Sequence, residues 1–197
     1  HHRLAAKLVH ARLERDARPG RWLLKQQPQH AALQQGMRNA APLLNFQLGR
    51  DKHFIGDGYR SLLLSDYSAP YPYFRINTNI WHFQYNVWYT WMYDVANAGG
   101  IKSKFSNKYG TFHYLSYNIT KNICVALFEN IVWRGTDTNQ VRNFEINYLN
   151  PIIFFRPQEY AIGSPDNSFL GANFSINLQR ALKLYGQLAV DEFLLKE

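Results

Sequence analysis

The chain has 197 residues, of which 46% are hydrophobic and 18% are charged, and its formal net charge is +8. A chain of this length forms one domain or part of a larger one, and its hydrophobic content excludes a fully disordered protein. The single cysteine, Cys124, excludes an internal disulfide, and no run of about 18 apolar residues could form a transmembrane helix. Transmembrane strands, which need only about ten residues of alternating polarity, are not excluded.

Residues 1–43 differ from the rest of the chain in composition. They hold eight basic residues against Glu14 and Asp16, which is +6 of the net charge of +8, and only one aromatic residue, Trp22. The spacing in residues 4–13 predicts at most one short basic helix in an otherwise irregular segment. Three interpretations are open: a basic arm for nucleic acid, a loosely ordered extension, or a frame-shifted or foreign sequence. Because no nucleic-acid-binding motif is present, we expect no nucleic-acid partner and favour the third interpretation, which the encoding DNA would test.

The remaining part of the chain, residues 44–197, alternates in polarity as antiparallel strands do. The alternating segments are residues 73–80, 85–93, 109–117, 123–133, 170–178 and 182–191. Turns at residues 82–84 and 118–122 predict two hairpins among the first four segments. Several segments reach about 9–11 residues, which is longer than an average strand and long enough for a tilted strand to cross a bilayer. The pattern therefore predicts an all-β antiparallel meander.

The predicted connections alternate in length. Short turns are followed by long polar stretches at residues 94–107 and 134–142, an asymmetry typical of outer-membrane barrels. Aromatic residues near strand ends would suit the interfacial girdles of such a barrel. These residues are Tyr73, Trp81, Tyr85, Tyr93, Tyr109 and Trp133. A soluble β-sandwich also alternates in polarity and also buries aromatic residues, so the pattern leaves both folds open.

Catalytic interpretations of the sequence are weak. His53, Ser61 and Asp66 have the residue types of a hydrolytic triad, but Ser61 does not lie in the Gly-x-Ser-x-Gly turn of a nucleophile elbow. A glycosidase would need two carboxylates, and the candidates are Glu129, Glu145, Glu159, Asp166, Asp191 and Glu192. Acids inside a barrel instead pair with basic residues, for which Arg142, Arg156 and Lys183 are at hand. No metal-ligand or nucleotide motif is present, so we predict no catalytic residue, no metal and no cofactor.

Four stretches of the sequence, in chain order, resemble one known family. They are KHFIGDGYRSLLLSD (52–66), LFENIVW (127–133), YLNPIIFFRPQEYAIGSPDNSFLG (148–171) and LYGQLAVDEF (184–193). These stretches resemble the Wzi-like capsule-assembly family, especially its gliding-motility RemB-like branch. The resemblance extends over nearly all of residues 44–197 and over none of residues 1–43.

The resemblance implies a non-catalytic β-barrel of many strands in the bacterial outer membrane. Its capsule branch binds surface polysaccharide, so the implied role is capsule or cell-surface polysaccharide assembly or attachment, with a link to gliding motility. Because full members are more than twice as long, the chain would form part of a barrel wall. The implied partners are outer-membrane lipid, surface polysaccharide and other cell-surface or motility proteins. The alternative function is that of a soluble β-sandwich carbohydrate-binding module.

The same stretches supply ten polar residues as candidates for the site. They are His53, Asp57, Tyr59, Arg60, Arg156, Glu159, Asp166, Asn167, Asp191 and Glu192. Each of them would either contact a glycan or belong to the hydrogen-bonded network that shapes the lumen and loops of the barrel. Polar side chains of these types can bind sugar hydroxyls, while aromatic rings beside them can stack on sugar rings.

Overall fold

The structure, a computed structural model, describes residues 3–7, 14–15, 22–23, 43–57, 60–94, 105–137, 140–141, 146–154, 167–178 and 182–191. The strands within these ranges are β1 (Arg3–Lys7), β2 (Glu14–Arg15), β3 (Trp22–Leu23), β4 (Leu44–Asp51), β5 (Tyr71–Ile80), β6 (Phe83–Asp94), β7 (Ser106–Asn118), β8 (Ile123–Arg134), β9 (Thr136–Asp137), β10 (Gln140–Val141), β11 (Asn167–Leu178) and β12 (Leu182–Asp191). One short 3-10 helix spans Ile146–Leu149. Over these ranges, no helix has both the length and the apolar character that a membrane span requires.

One antiparallel sheet contains most of the strands. Its order is β1-β12-β11-β8-β7-β6-β5-β4, so that strands that follow one another in the chain lie side by side from β4 to β8. This confirms the predicted all-β antiparallel meander. In the part of the chain that the structure describes, β1 and β4 form the two edges and do not pair with each other, so the sheet is open.

The prediction of a short helix in residues 4–13 is wrong for residues 4–7, which belong to a strand. Arg3–Lys7 forms β1, which pairs with β12 from Arg3 opposite Asp191 to Lys7 opposite Gln187. A helix as short as the predicted one is marginal in water, whereas the edge of a sheet offers a row of unpaired backbone groups. Pairing with β12 therefore outweighs the helix preference of this alanine-rich sequence. Residues 8–13 lie outside the described part of the chain.

The two faces of the sheet differ in chemistry, because successive side chains of a strand point to opposite faces. The face that contains Arg75 and Asn173 is called the polar face, and the face that contains Phe74 and Leu188 is called the apolar face. The strand register places on the polar face Tyr73, Arg75, Asn77, Asn86, Trp88, Phe112, Tyr114, Ala126, Phe128, Asn173 and Gln187. The predicted alternation in β5 and β6 is confirmed by this register.

The chain between β4 and β5, described at residues 52–57 and 60–70, folds across the polar face and is called the crossing segment. The Ile55 N–H donates a hydrogen bond to the Leu64 carbonyl at 2.9 Å, which holds the segment in a loop. Ile55 and Leu63 are buried in one cluster with Tyr73, Trp88, Phe112, Tyr114, Ala126 and Phe128. The main hydrophobic core therefore lies between the crossing segment and the polar face.

Short and long connections alternate in the meander, as predicted. The short ones are residues 81–82, 119–122 and 179–181, and the long ones are residues 52–70, 95–105 and 135–166. The first short turn begins one residue earlier than predicted, because Trp81 adopts a left-handed conformation (φ 53°) and reverses the chain before Phe83. In an antiparallel meander, all short turns lie at one end of the sheet and all long connections at the other.

The six aromatic residues predicted for interfacial girdles do not all occupy exposed positions. Trp81 is 77% exposed and Tyr93 is 64% exposed, and they lie at opposite ends of β6. Tyr73 and Trp133 are buried, so the prediction is wrong for these two. Tyr73 points to the polar face beneath the crossing segment, and the Trp133 ring packs 4.7 Å from the Tyr148 ring. The other two residues are partly buried.

Residues 146–154 cover part of the apolar face. The Tyr89 hydroxyl donates a hydrogen bond to the Leu149 carbonyl at 2.8 Å, and the Thr111 hydroxyl donates one to the Tyr148 carbonyl at 3.0 Å. These bonds satisfy polar groups that would otherwise project from an apolar surface. The polar side chains on this face are therefore placed under a peptide layer.

Gly171 of β11 determines how closely the crossing segment approaches the sheet. A Cβ atom added at Gly171 would overlap the buried Leu63 side chain. Because overpacking of a core costs about 1–3 kcal/mol, we expect Gly171→Val to lower the free energy of unfolding by that amount. The neighbouring variant Ala172→Val, beside an open groove on the apolar face, should change it by less than about 0.5 kcal/mol. Urea unfolding of both variants measures this difference, and equal effects would contradict the packing.

Candidate functional site

Asp57 lies where the crossing segment meets β11 and β12. Its carboxylate forms an ion pair with Lys183 and accepts a hydrogen bond from Asn173 Nδ2 at 2.6 Å. The Asp57 backbone N–H donates to Asn173 Oδ1 at 3.3 Å. The Asp57 side chain is 1% exposed and the Lys183 side chain 18% exposed. Because a buried carboxylate needs both a counter-charge and hydrogen bonds, these contacts fix the position of the segment on the sheet.

Gln187 of β12 connects the same site to residues 61–62 of the crossing segment. Its Oε1 accepts a hydrogen bond from the Leu62 N–H at 3.0 Å. Its Nε2 donates to Ser61 Oγ at 3.1 Å and to Asn173 Oδ1 at 3.3 Å. The Ser61 hydroxyl in turn donates to the Ile55 carbonyl. One amide side chain therefore satisfies both backbone and side-chain groups of the segment.

Gly56 allows the chain to turn tightly beside Gln187. Its φ is 112°, in a region that residues with a side chain rarely adopt. A Cβ atom at this position would also overlap the Gln187 side-chain amide. The glycine that precedes Asp57 is thus required both by its backbone conformation and by its contact with β12.

His53 lies in an aromatic pocket at the start of the crossing segment. The centre of its ring is 4.3 Å from that of Tyr73, in an edge-to-face arrangement, and 5.8 Å from that of Trp88. Its Nδ1 is 3.3 Å from the Tyr71 hydroxyl. Burial, and after it the positive charge of Arg75, lowers the pKa of His53 to about 4. The imidazole is therefore neutral at neutral pH.

Arg75 of β5 begins a ladder of amide side chains on the polar face. Its Nε and Nη2 donate to Asn86 Oδ1 at 3.1 Å and 2.6 Å. Asn77 Nδ2 donates to the same oxygen at 2.5 Å, and Asn79 Nδ2 donates to Asn77 Oδ1 at 2.8 Å. The guanidinium carbon lies 5.0 Å from the centre of the Trp88 ring, within the range of a cation–π contact. Arg75, Asn77 and Asn79 are partly exposed, which leaves them within reach of a ligand.

The structure describes four side chains of the ten residues predicted for the site. Asp57 contacts β11 and β12, whereas His53 contacts β5 and β6, so the two lie over different parts of the sheet. Arg60 and Asn167 are exposed. Asp191 ends β12, opposite Phe169. The remaining predicted residues lie outside the described part of the chain, and they are Tyr59, Arg156, Glu159, Asp166 and Glu192.

Three residues that complete the site were not singled out from the sequence, namely Arg75, Asn173 and Gln187. Each occupies a polar position in a strand of alternating polarity, which by itself indicates only the face on which a side chain lies. The additional signal is their distance from the turns, because a polar residue in the middle of a long strand has to find partners on the sheet. The identity of the partners depends on contacts such as the one between Asp57 and Asn173, 116 residues apart.

The residues considered for hydrolysis have other partners. The Ser61 hydroxyl donates a hydrogen bond to the Ile55 carbonyl. His53 Nδ1 lies 3.3 Å from the Tyr71 hydroxyl oxygen. Glu129 lies on the apolar face and accepts a hydrogen bond from a backbone N–H of the layer formed by residues 146–154. Within the described ranges, no three His, Cys, Asp or Glu side chains come together as a metal site.

These features define an all-β chain with an open meander sheet, whose polar face is covered in part by a crossing segment. Comparison with protein-family models, with curated proteins and with solved structures gave no match.

Removal of the Asp57 charge leaves the Lys183 ammonium partly buried without its counter-charge. We expect Asp57→Asn to lower the free energy of unfolding by about 3 kcal/mol, since breaking a buried ion pair on one side costs roughly that much. Adding Lys183→Met should recover part of the loss, because the unpaired charge is then removed. Asp51→Asn is the matched control, because this exposed carboxylate accepts a hydrogen bond from the adjacent Lys52 N–H. Equal losses for the two Asp variants in urea unfolding would contradict the role of Asp57.

The lowered pKa of His53 predicts that stability depends on pH. The folded state releases its proton at a pKa of about 4 and the unfolded state at 6.5, so the unfolded state binds more protons between these values. The contribution of His53 to the free energy of unfolding is therefore fully present above pH 6.5, the pKa of the unfolded state. It falls by about 3 kcal/mol as the pH is lowered to the folded-state pKa of about 4. Urea unfolding across this window tests the slope. His53→Gln should flatten it, and an unchanged slope in that variant would show that another group is responsible.

Proposed function

We propose that the chain forms part of the wall of an outer-membrane β-barrel that binds cell-surface polysaccharide without catalysis. Its role would be capsule or surface-polysaccharide assembly or attachment, with the link to gliding motility that the sequence motifs imply. The observation that carries this proposal is the division of the sheet. Exposed apolar side chains collect on one face, while the other face holds a network of polar side chains.

The apolar face has the chemistry of a surface that contacts lipid. Leu48 of β4 is 80% exposed and Phe46 is 60% exposed. Other exposed apolar side chains on this face are Leu44, Ile80, Phe83, Tyr93, Leu127, Phe174, Leu178 and Leu188. The rings of Phe46, Phe74 and Tyr89 continue across three strands with centroid separations of 6.2 Å. A patch of this extent is unfavourable in water, whereas lipid tails cover it without cost.

The ends of the sheet support an orientation in the membrane. Outer-membrane barrels have short turns on the periplasmic side and longer loops outside the cell. The short connections of this sheet would then face the periplasm, and the end of the sheet with the long connections would face the exterior. Trp81 and Tyr93, exposed at the two ends of β6, would lie at the two membrane interfaces, where amphipathic rings are favoured.

The polar face supplies the groups that a glycan requires. Amide and guanidinium groups donate to sugar hydroxyls, and aromatic rings contact the apolar faces of sugar rings. The ladder of Arg75, Asn77 and Asn79 offers such guanidinium and amide donors on a partly exposed surface. The part of the same face beneath the crossing segment is occupied by the contacts of Asp57 and is therefore structural.

A soluble β-sandwich carbohydrate-binding module is the second candidate function. It is favoured by residues 146–154, which already cover part of the apolar face and bury Tyr148 against Trp133. In a sandwich, a second layer would continue this cover over the rest of the face. The two candidates differ in what covers the exposed apolar side chains, protein in one and lipid in the other.

We expect the intact gene product to fractionate with the outer membrane and to change gel mobility on boiling. Leu48→Arg should reduce the folded, heat-modifiable form, because an arginine facing lipid costs about 2–4 kcal/mol. In water, a substitution at so exposed a position would cost less than about 0.5 kcal/mol. Asn45→Arg is the control, because Asn45 lies on the same strand and, opposite Asn77, on the polar face. Recovery of the protein in the soluble fraction, together with equal effects of the two variants on the folded form, would contradict the barrel and support the sandwich.

A further inference from the structure

Arg75 carries a positive charge that no carboxylate of the described residues balances. Its hydrogen bonds go to one acceptor, the side-chain oxygen of Asn86, and that oxygen also accepts a bond from Asn77. An amide oxygen shared in this way carries only a partial negative charge. A partly buried guanidinium normally has a carboxylate partner, so its charge is undercompensated here.

Two other basic residues of the sheet show the usual arrangement. Lys183 pairs with Asp57, and Arg134 pairs with Asp94, with 3.3 Å between Arg134 Nε and Asp94 Oδ2. Arg134 keeps this carboxylate although its side chain is 61% exposed. Arg75, in a less exposed position, lacks a comparable partner in the part of the chain that the structure describes.

A buried donor without an acceptor lies beside Arg75. Trp88 is only 5% exposed, and its indole N–H is buried without a hydrogen-bond acceptor among the described residues. Buried donors are nearly always paired, so an orphaned one needs an explanation. The guanidinium lacks a carboxylate partner among the described residues, and the indole N–H within the same cation–π contact lacks an acceptor, so one anionic group could serve both.

The His53 ring, 5.8 Å from the Trp88 ring, does not add a negative charge. His53 is neutral, and the positive field of Arg75 contributes to the lowering of its pKa. The surroundings of Arg75 thus include a neutral imidazole, an indole, the Tyr73 phenol and amide groups. Every one of these groups tolerates an incoming anion, and none of them repels it.

We propose that Arg75 and Trp88 form a subsite for the carboxylate of an acidic sugar residue, a uronic acid, with Asn77 and Asn79 next to its hydroxyls. The planar guanidinium fork matches a carboxylate in geometry as well as in charge. This inference rests on the proposed function, because it takes the ligand of the polar face to be a polysaccharide. It adds that the polysaccharide is anionic and that its acidic residue binds at β5 and β6.

The test compares two probes on the intact gene product, purified in detergent from the outer membrane. One probe is an oligosaccharide of glucuronic acid, and the other is the same oligosaccharide with its carboxyl groups reduced to alcohols. We expect the acidic probe to bind at least about tenfold more tightly in calorimetry, because a charge-assisted bidentate contact is lost in the reduced probe. Added salt should lower this preference but not abolish it, since the site is partly buried.

Variants assign the preference to one residue. Arg75→Gln should bind both probes equally, whereas Arg50→Gln, which removes an exposed arginine from β4, should keep the preference within about twofold. Arg75→Lys, which keeps the charge but loses the fork, should retain part of it. The heat-dependent gel shift identifies variants that remain folded, and the comparison of the two probes on the unaltered protein needs no variant.

The outcomes separate the two proposals. Equal binding of both probes to the unaltered protein, or a preference that survives in Arg75→Gln, would overturn the anionic subsite and leave polysaccharide binding intact. Binding of neither probe would overturn polysaccharide binding itself, and the subsite with it. A preference that Arg75→Gln removes and Arg50→Gln retains would support both.

Discussion

The contact between the crossing segment and the far strands of the meander is the constraint on which the rest of the structure depends. The segment leaves β4 at one edge of the sheet, yet Asp57 pairs with Lys183 of β12. Six spacings of about 4.8 Å separate these strands in a flat sheet, which is about 29 Å. The six Cα–Cα steps from Asp51 to Asp57 span at most about 20 Å when fully extended. Only with the side chains of the ion pair added would such an extended segment reach across a flat sheet, and the turn at Gly56 shortens the segment. The sheet therefore curves toward the polar face, so that this face is concave.

The concave side of the sheet holds both an apolar cluster and paired charges. Part of the concave side is filled by Ile55 and Leu63 with aromatic residues of the sheet, and the charges there are paired. The buried pair of Asp57 and Lys183 contributes more to the position of the segment than to net stability, because desolvation offsets most of its Coulomb energy. The conformation of Gly56 has the same effect, since only glycine allows the approach to Gln187. Together they determine which part of the concave face is closed and which stays open.

The strands could be predicted from the sequence, because a period of two is a local signal that β5 and β6 show clearly. The site could be predicted only in part. The motif that contains Gly56 and Asp57 was recognised, but its partners in β11 and β12 follow from the curvature and register of the whole sheet. The burial of Tyr73 and Trp133 was missed for a related reason. Each is covered by a connection, the crossing segment in one case and residues 146–154 in the other, and alternation within a strand carries no signal for such a layer.

The division of the concave face gives the open part its chemistry. Where Asp57 of the crossing segment packs, the side chains of Lys183, Asn173 and Gln187 supply its protein partners and those of its neighbours, because water is excluded and an unpaired group would be costly. On the open part of the face, Asn79 donates a hydrogen bond to Asn77. The guanidinium of Arg75 there donates to a single acceptor among the described residues, the amide oxygen of Asn86. A sheet that needed Arg75 only for its own stability would place a carboxylate opposite it in β6, where Trp88 stands instead. An aromatic ring at that position leaves the anionic half of the pair to a ligand.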